Sequence, residues 1–168
     1  MILKDIKEND FDFIYSLTSN EKLIKHIEKG KIWDEKKTKT FIKYSLEEQE
    51  LPNKKRYHFY YIITDGKKQI GVIGFFKQRD DNYYLRIFLD PKFQGQGYFT
   101  KSLNLLKDLL VKYKKVDRLY AEAHDTNSKM NIILKNKFFF NKIKNYGKIV
   151  VNQYIIFLRK YTYLVKSD

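Results

Sequence analysis

Asp90-Pro91-Lys92-Phe93-Gln94-Gly95-Gln96-Gly97-Tyr98-Phe99-Thr100 is the stretch from which this chain is read. A β-rich apolar run, Tyr83 to Leu89, leads into it and a helical pattern leads out. Two of the chain's seven glycines fall here, within three residues of each other. A glycine turn between a strand and a helix aims successive backbone N–H groups and a helix N-terminus at one spot, which makes an anion site. Beyond the turn, Phe99, Leu103, Leu106, Leu110 and Tyr113 recur at helical spacing, a single apolar stripe suited to packing on a sheet.

The segments on either side supply that sheet. Ile2 to Ile6 reads as a first strand, and Asn9 or Asp10 caps a helix with apolar positions Phe11, Ile14, Tyr15 and Leu17. A second helix starts at Asp34, carries Phe41, Ile42 and Leu46, and stops before Pro52. Tyr57 to Thr64 and Gln69 to Lys77 are β-rich runs joined by Asp65-Gly66, a hairpin signal. The turn Arg79-Asp80-Asp81-Asn82 feeds the fourth strand, Tyr83 to Leu89. After the long helix, Arg118 to Ala123 alternates as a strand and Asn127 to Lys137 reads as a short helix. Phe138 to Ile143 and Ile149 to Tyr163 close the pattern as two strands, with Asn145-Tyr146-Gly147 as the turn between them. The order β-α-α-β-β-β-α-β-α-β-β predicts an α/β fold: a mixed sheet of six to seven strands with helices on both faces. No repeat, linker or low-complexity tract interrupts it, so residues 1–168 are expected to form one domain.

Composition narrows the chemistry. The absence of cysteine excludes disulfides, thiolate metal sites and a cysteine nucleophile, and three scattered histidines argue against a dedicated zinc site. No apolar run reaches the length of a membrane span, and Met1-Ile2-Leu3-Lys4-Asp5 lacks the core of a signal peptide, so a cytoplasmic location is expected. The net charge of +14 raises nucleic acid or the ribosome as a partner. Lysine far outnumbers arginine and is spread along the chain, which favours a solvated basic surface over one dedicated patch.

Taken together, the loop and its order of elements resemble the GNAT acetyltransferase superfamily over nearly the whole chain. Gln94-Gly95-Gln96-Gly97-Tyr98-Phe99 is similar to that superfamily's pyrophosphate loop, Arg/Gln-x-x-Gly-x-Gly/Ala, with Phe99 in place of the last small residue. Leu89-Asp90-Pro91-Lys92-Phe93 ahead of it resembles the branch of ribosomal-protein N-terminal acetyltransferases and spermidine acetyltransferases. A second block, Asn127-Ser128-Lys129-Met130 with Ile133-Leu134-Lys135-Asn136 and Phe138-Phe139, is similar to that branch's Asn-x-x-Ser … Val-Leu-Glu-Lys-x-Gly-Phe segment. Met130 stands for its Ser or Ala, and Phe138 for its Gly.

The resemblance implies an acetyl-CoA-dependent N-acetyltransferase acting on a primary amine, a protein N-terminus or a small molecule, as a monomer or homodimer. Backbone groups of Ile87, Phe88 and Leu89 would hold the pantetheine arm. Gln94, Gly95, Gln96, Gly97, Tyr98, Phe99 and Thr100 would hold the pyrophosphate, and Asn127 would contact the arm. Leu134 stands where many of these enzymes carry the tyrosine that protonates the leaving thiolate. Proton donors would then come from elsewhere, and Tyr84, Tyr120, Tyr146 and His124 are the candidates, while His26 and His58 carry no motif.

Glu122 is the candidate base. On the fifth strand Tyr120, Glu122 and His124 share one face and Leu119, Ala121 and Ala123 the other. Deprotonating a lysine-like amine at pH 7 costs about 4.6 kcal/mol, an α-amine about 1, so a weak base serves an N-terminal amine more easily. Trp33 reads as a hydrophobic plug, and Glu47, Glu48 and Glu50 as partners for Lys54 and Lys55. The competing reading is a catalytically inactive GNAT fold that binds RNA, ribosome or protein, supported by Leu134 and the +14 charge.

Overall fold

In a computed structural model of the chain, residues 1–27, 30–79, 82–114, 118–137, 141–151 and 154–164 are described. Its seven strands are β1 (Ile2–Asp5), β2 (His58–Asp65), β3 (Lys68–Lys77), β4 (Tyr83–Leu89), β5 (Arg118–His124), β6 (Asn141–Val151) and β7 (Tyr154–Leu164). Its helices are α1 (Phe11–Thr18), α2 (Glu21–Ile24), α3 (Glu35–Glu50), α4 (Tyr98–Lys114) and α5 (Ser128–Lys137). The strands form one sheet in the order β1-β2-β3-β4-β5-β7-β6. β4 and β5 run parallel, and every other neighbouring pair is antiparallel.

Local signals set the boundaries. Gly66, at φ 59°, makes the tight turn that brings Asp65 opposite Lys68. The Asp34 carboxylate accepts a hydrogen bond from the Lys37 N–H at 2.7 Å and starts α3; Asn20 does the same for α2 by accepting from Leu23. Asp10 precedes α1 differently from expectation: its side chain accepts from the Lys7 N–H at 2.8 Å, at the end of a 3-10 turn over Glu8–Asp10. Glu48 accepts from the Tyr57 N–H at 2.8 Å and Glu47 pairs with Lys43 at 3.7 Å.

Side-chain alternation divides the core between the two faces. Phe59, Tyr61, Ile73, Phe75 and Tyr83 meet Phe99, Leu103, Leu106 and Leu110 of α4 and Leu134 of α5 on one face. Tyr60, Ile62, Val72 and Phe88 meet Ile14, Leu17, Ile24, Trp33 and Ile42 on the other. Each large apolar side chain fully buried in this way contributes roughly 1.5–3 kcal/mol. Trp33 is a plug, 3% exposed, with its ring centroid 5.5 Å from Phe41 and 5.7 Å from Phe88.

One expected turn is corrected. Asn145-Tyr146-Gly147 does not separate two strands; β6 runs through it, with a register irregularity between Asn145 and Gly147 opposite β7. Tyr146 is the residue the ladder passes over, between the pairs Asn145 with Arg159 and Gly147 with Leu158. Asp80 and Asp81 of the expected turn before β4, and Phe138 to Phe140 of the expected strand start, lie outside the described residues.

Candidate active site

The site begins where β4 and β5 part. Among the described residues these parallel strands pair at one position, Tyr84 with Tyr120, and diverge toward their C-terminal ends. A cleft of about 1370 Å³ fills the wedge, larger than the roughly 300–1,000 Å³ of an ordinary small-molecule pocket and suited to an elongated ligand. Leu85, Ile87 and Leu89 of β4 and Ala121 and Ala123 of β5 line it, with Asn127, Met130, Ile133 and Leu134 closing one side.

The glycine loop forms one end. The Asp90 carboxylate accepts from the Lys92 N–H at 2.9 Å, and Pro91 opens a 3-10 turn over Pro91–Phe93. Gln94 donates its amide to the Leu89 carbonyl at 3.1 Å, and Gln96 donates to the Lys92 carbonyl at 2.8 Å. Both glutamine side chains thus brace the loop from within, leaving the backbone to meet a ligand. Gly95 and Gly97 have φ 78° and 80°, a region that a β-carbon disfavours. The first return bond of α4 runs from the Lys101 N–H to the Gly97 carbonyl. The N–H groups of Tyr98, Phe99 and Thr100 precede it in the first turn, where helix geometry gives them no partner within the helix.

The expected cofactor residues separate on inspection. Ile87, Leu89, Gln94, Gly95, Gly97, Phe99, Thr100 and Asn127 line the cleft; Phe88, Gln96 and Tyr98 do not. Phe88 turns into the core beside Trp33. The Tyr98 hydroxyl donates to Asp65 at 2.9 Å, tying the start of α4 to the β2–β3 turn. That bond is the largest cause holding the Asp65 carboxyl below its ordinary pKa and raising the Tyr98 phenol above its own. Asn127 accepts from the Met130 N–H at 3.2 Å as the cap of α5 and also faces the cleft.

The expected catalytic residues lie on the other side of the wedge. Glu122 lines the cleft with its side chain exposed to solvent. Tyr84, 3% exposed, lines it too and stacks on Tyr120 with centroids 5.5 Å apart; Tyr120 itself is behind and does not reach the lining. His124 is buried at the cleft wall. Leu134, 1% exposed, contributes an apolar wall with no proton to give. The side chain of Tyr146 lies outside the described residues.

Sequence reading missed several lining residues. Lys22, Lys25 and His26 come from α2 and the turn after it, and Arg86 from β4. The His26 ring stands edge-on to His124 at 6.2 Å. Burial first, then the charges of Lys25 and His124, lower the His26 pKa. The Arg86 guanidinium sits over the Phe76 ring, 4.6 Å from its centroid. Asn131 was missed as well: buried, it donates to the carbonyls of His124 and Asn127, each at 2.8 Å, and fixes the β5–α5 junction. The signal for these residues was weak because α2 is a single turn and Asn131 bears no charge.

Comparison with known proteins agrees with this architecture. A family profile described as "Acetyltransferase (GNAT) domain" matches residues 1–138. No curated protein matches the chain. Among solved structures, one similar to it is the Salmonella typhimurium acetyl transferase that modifies the N-terminal serine of 50S ribosomal subunit protein L7/L12 (18% identity, TM-score 0.79, covering 98% of this chain and 94% of that one). Another is the Vibrio cholerae spermidine N-acetyltransferase in complex with CoA and spermine (15% identity, TM-score 0.78, 97% and 94%). A third is a microcin C7 self-immunity acetyltransferase in complex with acetyl-CoA and AMP (19% identity, TM-score 0.75, 96% and 91%).

Proposed function

The chain belongs to the GNAT acetyltransferase family, and on that premise we propose that it moves an acetyl group from acetyl-CoA to a primary amine, both held at once in the β4–β5 wedge. The observation that carries this reading is the wedge itself. An open, elongated cleft between two parallel strands ends at a loop whose positive-φ glycines and helix N-terminus present N–H groups to an anion. The residues present fit coenzyme A: the loop for its pyrophosphate, the β4 edge from Ile87 to Leu89 for its amide-bearing arm, Asn127 beside that arm.

Bound acetyl-CoA supplies an activated acetyl thioester, whose carbon gains a bond to the amine nitrogen and loses its bond to sulfur. The chain's own residues do the rest. The cleft brings amine and thioester together, which replaces an encounter in water with a positioned one. A backbone N–H of β4 directed into the wedge polarises the carbonyl oxygen. Glu122 takes the amine's proton, directly or through water, because it is a carboxylate at the cleft wall on the face opposite α4. Leu134 cannot protonate the departing thiolate; Tyr84 is the hydroxyl-bearing side chain of β4 that lines the cleft. The α-amine of a peptide suits so modest a base better than a side-chain amine does. Intracellular supply of acetyl-CoA supports a cytoplasmic location.

A thermal-shift titration with acetyl-CoA, paired with an assay of thiol release on added amines, tests the proposal. At 100 times Kd the ligand is expected to add about 2.7 kcal/mol of stability, and Glu122→Gln is expected to lower kcat while leaving that increment in place. No shift at millimolar acetyl-CoA contradicts the cofactor assignment. Equal rates in parent and Glu122→Gln contradict the role of the carboxylate.

A further inference from the structure

Residues 126–134 all line the cleft with one exception, Asn131. Its side chain is buried instead, 6% exposed, beneath the turn that joins β5 to α5. An asparagine inside a helix costs helix propensity, and burying its amide costs more unless hydrogen bonds replace water. An apolar residue would avoid both costs. Here the amide nitrogen donates to the His124 and Asn127 carbonyls, each at 2.8 Å, and lies 3.5 Å from that of Asp125. Neither of the first two carbonyls depends on it for a partner. The His124 carbonyl already accepts the Asn127 N–H at 3.0 Å, and the Asn127 carbonyl accepts the Asn131 N–H at 3.0 Å. The side chain therefore adds a clamp: one nitrogen draws together the last carbonyl of β5 and the carbonyl of the residue that caps α5.

We propose that Asn131 is a positioning residue for the cofactor arm, setting acetyl-CoA affinity through Asn127 without touching the ligand. The inference rests on the acetyl-transfer reading, in which Asn127 lies beside that arm. The Asn127 side chain accepts from the Met130 N–H at 3.2 Å and faces the cleft. That cap fixes the side chain relative to the first turn of α5. It does not fix α5 relative to β5. The clamp does, because His124 belongs to the sheet and Asn127 to the start of the helix. With both carbonyls held on one nitrogen, the cap side chain has one place against the wedge, and Ile133 and Leu134 are carried to the same wall. Apolar packing is non-directional, whereas a hydrogen bond fixes distance and angle, so an amide holds this junction more sharply than a leucine would. Groups placed before a ligand arrives cost it no ordering when it binds.

Calorimetric titration of acetyl-CoA into the parent, Asn131→Leu, Asn127→Ser and the double variant tests the clamp. Leucine keeps the branched shape of asparagine and cannot donate; serine keeps the α5 cap and falls short of the cleft. Asn131→Leu is expected to bind acetyl-CoA about three- to tenfold more weakly, the scale of one hydrogen bond. In the Asn127→Ser background the same change is expected to cost less than about twofold, because the group it positions is gone. Asn131→Thr restores half of the clamp, since its hydroxyl can bond the Asn127 carbonyl as Thr38 bonds that of Asp34 at 3.1 Å. It is expected to bind between the parent and Asn131→Leu, and it takes the leucine variant's place in the cycle if that variant does not fold. Parental affinity in Asn131→Leu overturns the inference. So does a loss of equal size in both backgrounds, which marks a general effect on the fold. If the parent binds acetyl-CoA and the cycle is additive, only the clamp is wrong; if the parent does not bind it, the acetyl-transfer reading fails as well.

Discussion

Replacing Gly97 with alanine isolates the part of the loop that depends on backbone conformation alone. A β-carbon added at Gly97 meets no atom within 4 Å, so no clash contributes. What remains is the backbone itself: φ is 80°, and an L-residue held in that left-handed region costs roughly 1–2 kcal/mol. For a chain of this length each kcal/mol lowers Tm by about 2–4 °C, so Gly97→Ala is expected to melt about 2–8 °C lower without ligand. If the variant relaxes that strain by turning the peptide, the N–H groups of the anion site turn with it. A tenfold weaker Kd, at an acetyl-CoA concentration 100 times the parent's Kd, cuts the ligand's stabilising increment from about 2.7 to about 1.4 kcal/mol. Gly74→Ala is the control with the opposite signature. Its β-carbon would clash with the Phe59 carbonyl oxygen and with the Tyr60 ring, and the first of these clashes only a backbone shift can relieve. It is expected to cost about 3 kcal/mol or more, the upper end for overpacking, yet to keep the full cofactor increment if it folds. Differential scanning fluorimetry with and without acetyl-CoA reads all four numbers. A Gly97→Ala protein with unchanged Tm and an undiminished increment refutes the assignment of the loop as a strained anion cradle.

Three further outcomes follow from named contacts. Phe88→Ala is expected to lose about 3–5 kcal/mol, because it empties a fully buried site against Trp33, and urea unfolding measures it. His58 is held below its usual pKa chiefly by burial, so the unfolded chain takes up the proton first. Its contribution is therefore present above about pH 6.5 and is lost as pH falls through the lower folded pKa. Urea midpoints of His58→Gln should fall less steeply than those of the parent between pH 7.5 and 5, as ranges chosen on that basis; parallel curves would show that His58 is not linked to folding. Tyr98→Phe removes the bond that depresses the Asp65 pKa. Its stability deficit should be constant at neutral pH and disappear as acid protonates Asp65 below about pH 4, and midpoints across that range decide it.

The elements that carry the site were readable because each was marked by several agreeing signals. Tyr83–Leu89 was bounded by turn chemistry before it and Asp90-Pro91 after it, and β4 has those limits. The α4 stripe was legible because Phe99, Leu103, Leu106 and Leu110 obey one period, and all four are buried. α3 was announced by the cap at Asp34 and closed ahead of Pro52. What failed was local and has local reasons. α2, Glu21–Ile24, is shorter than one cycle of a detectable pattern, so the lysines and His26 that reach the cleft looked like loop residues. Gly147 has turn chemistry, but pairing with β7 on both sides of it outweighed that preference. Tyr120 and Tyr84 share a face, yet only the latter meets the cleft, because a side chain's access depends on where the strands separate, and that is a property of the sheet. The roles of the Gln94 and Gln96 side chains were not legible either: their amides donate to the carbonyls of Leu89 and Lys92, which leaves the loop's backbone N–H groups, the groups its motif pointed to, to face an anion.

Hydrogen exchange along β4 tests the central claim most directly. If acetyl-CoA lies in the wedge with its arm along this strand, the amides between Leu85 and Leu89 that do not bond to β3 should exchange more slowly when it is added. Those joining β2 to β3 should be unchanged. Slower exchange at Leu85 to Leu89, together with the first-turn amides of Tyr98 to Thr100, is the predicted result. Unaltered exchange at both places in the presence of saturating acetyl-CoA contradicts the account.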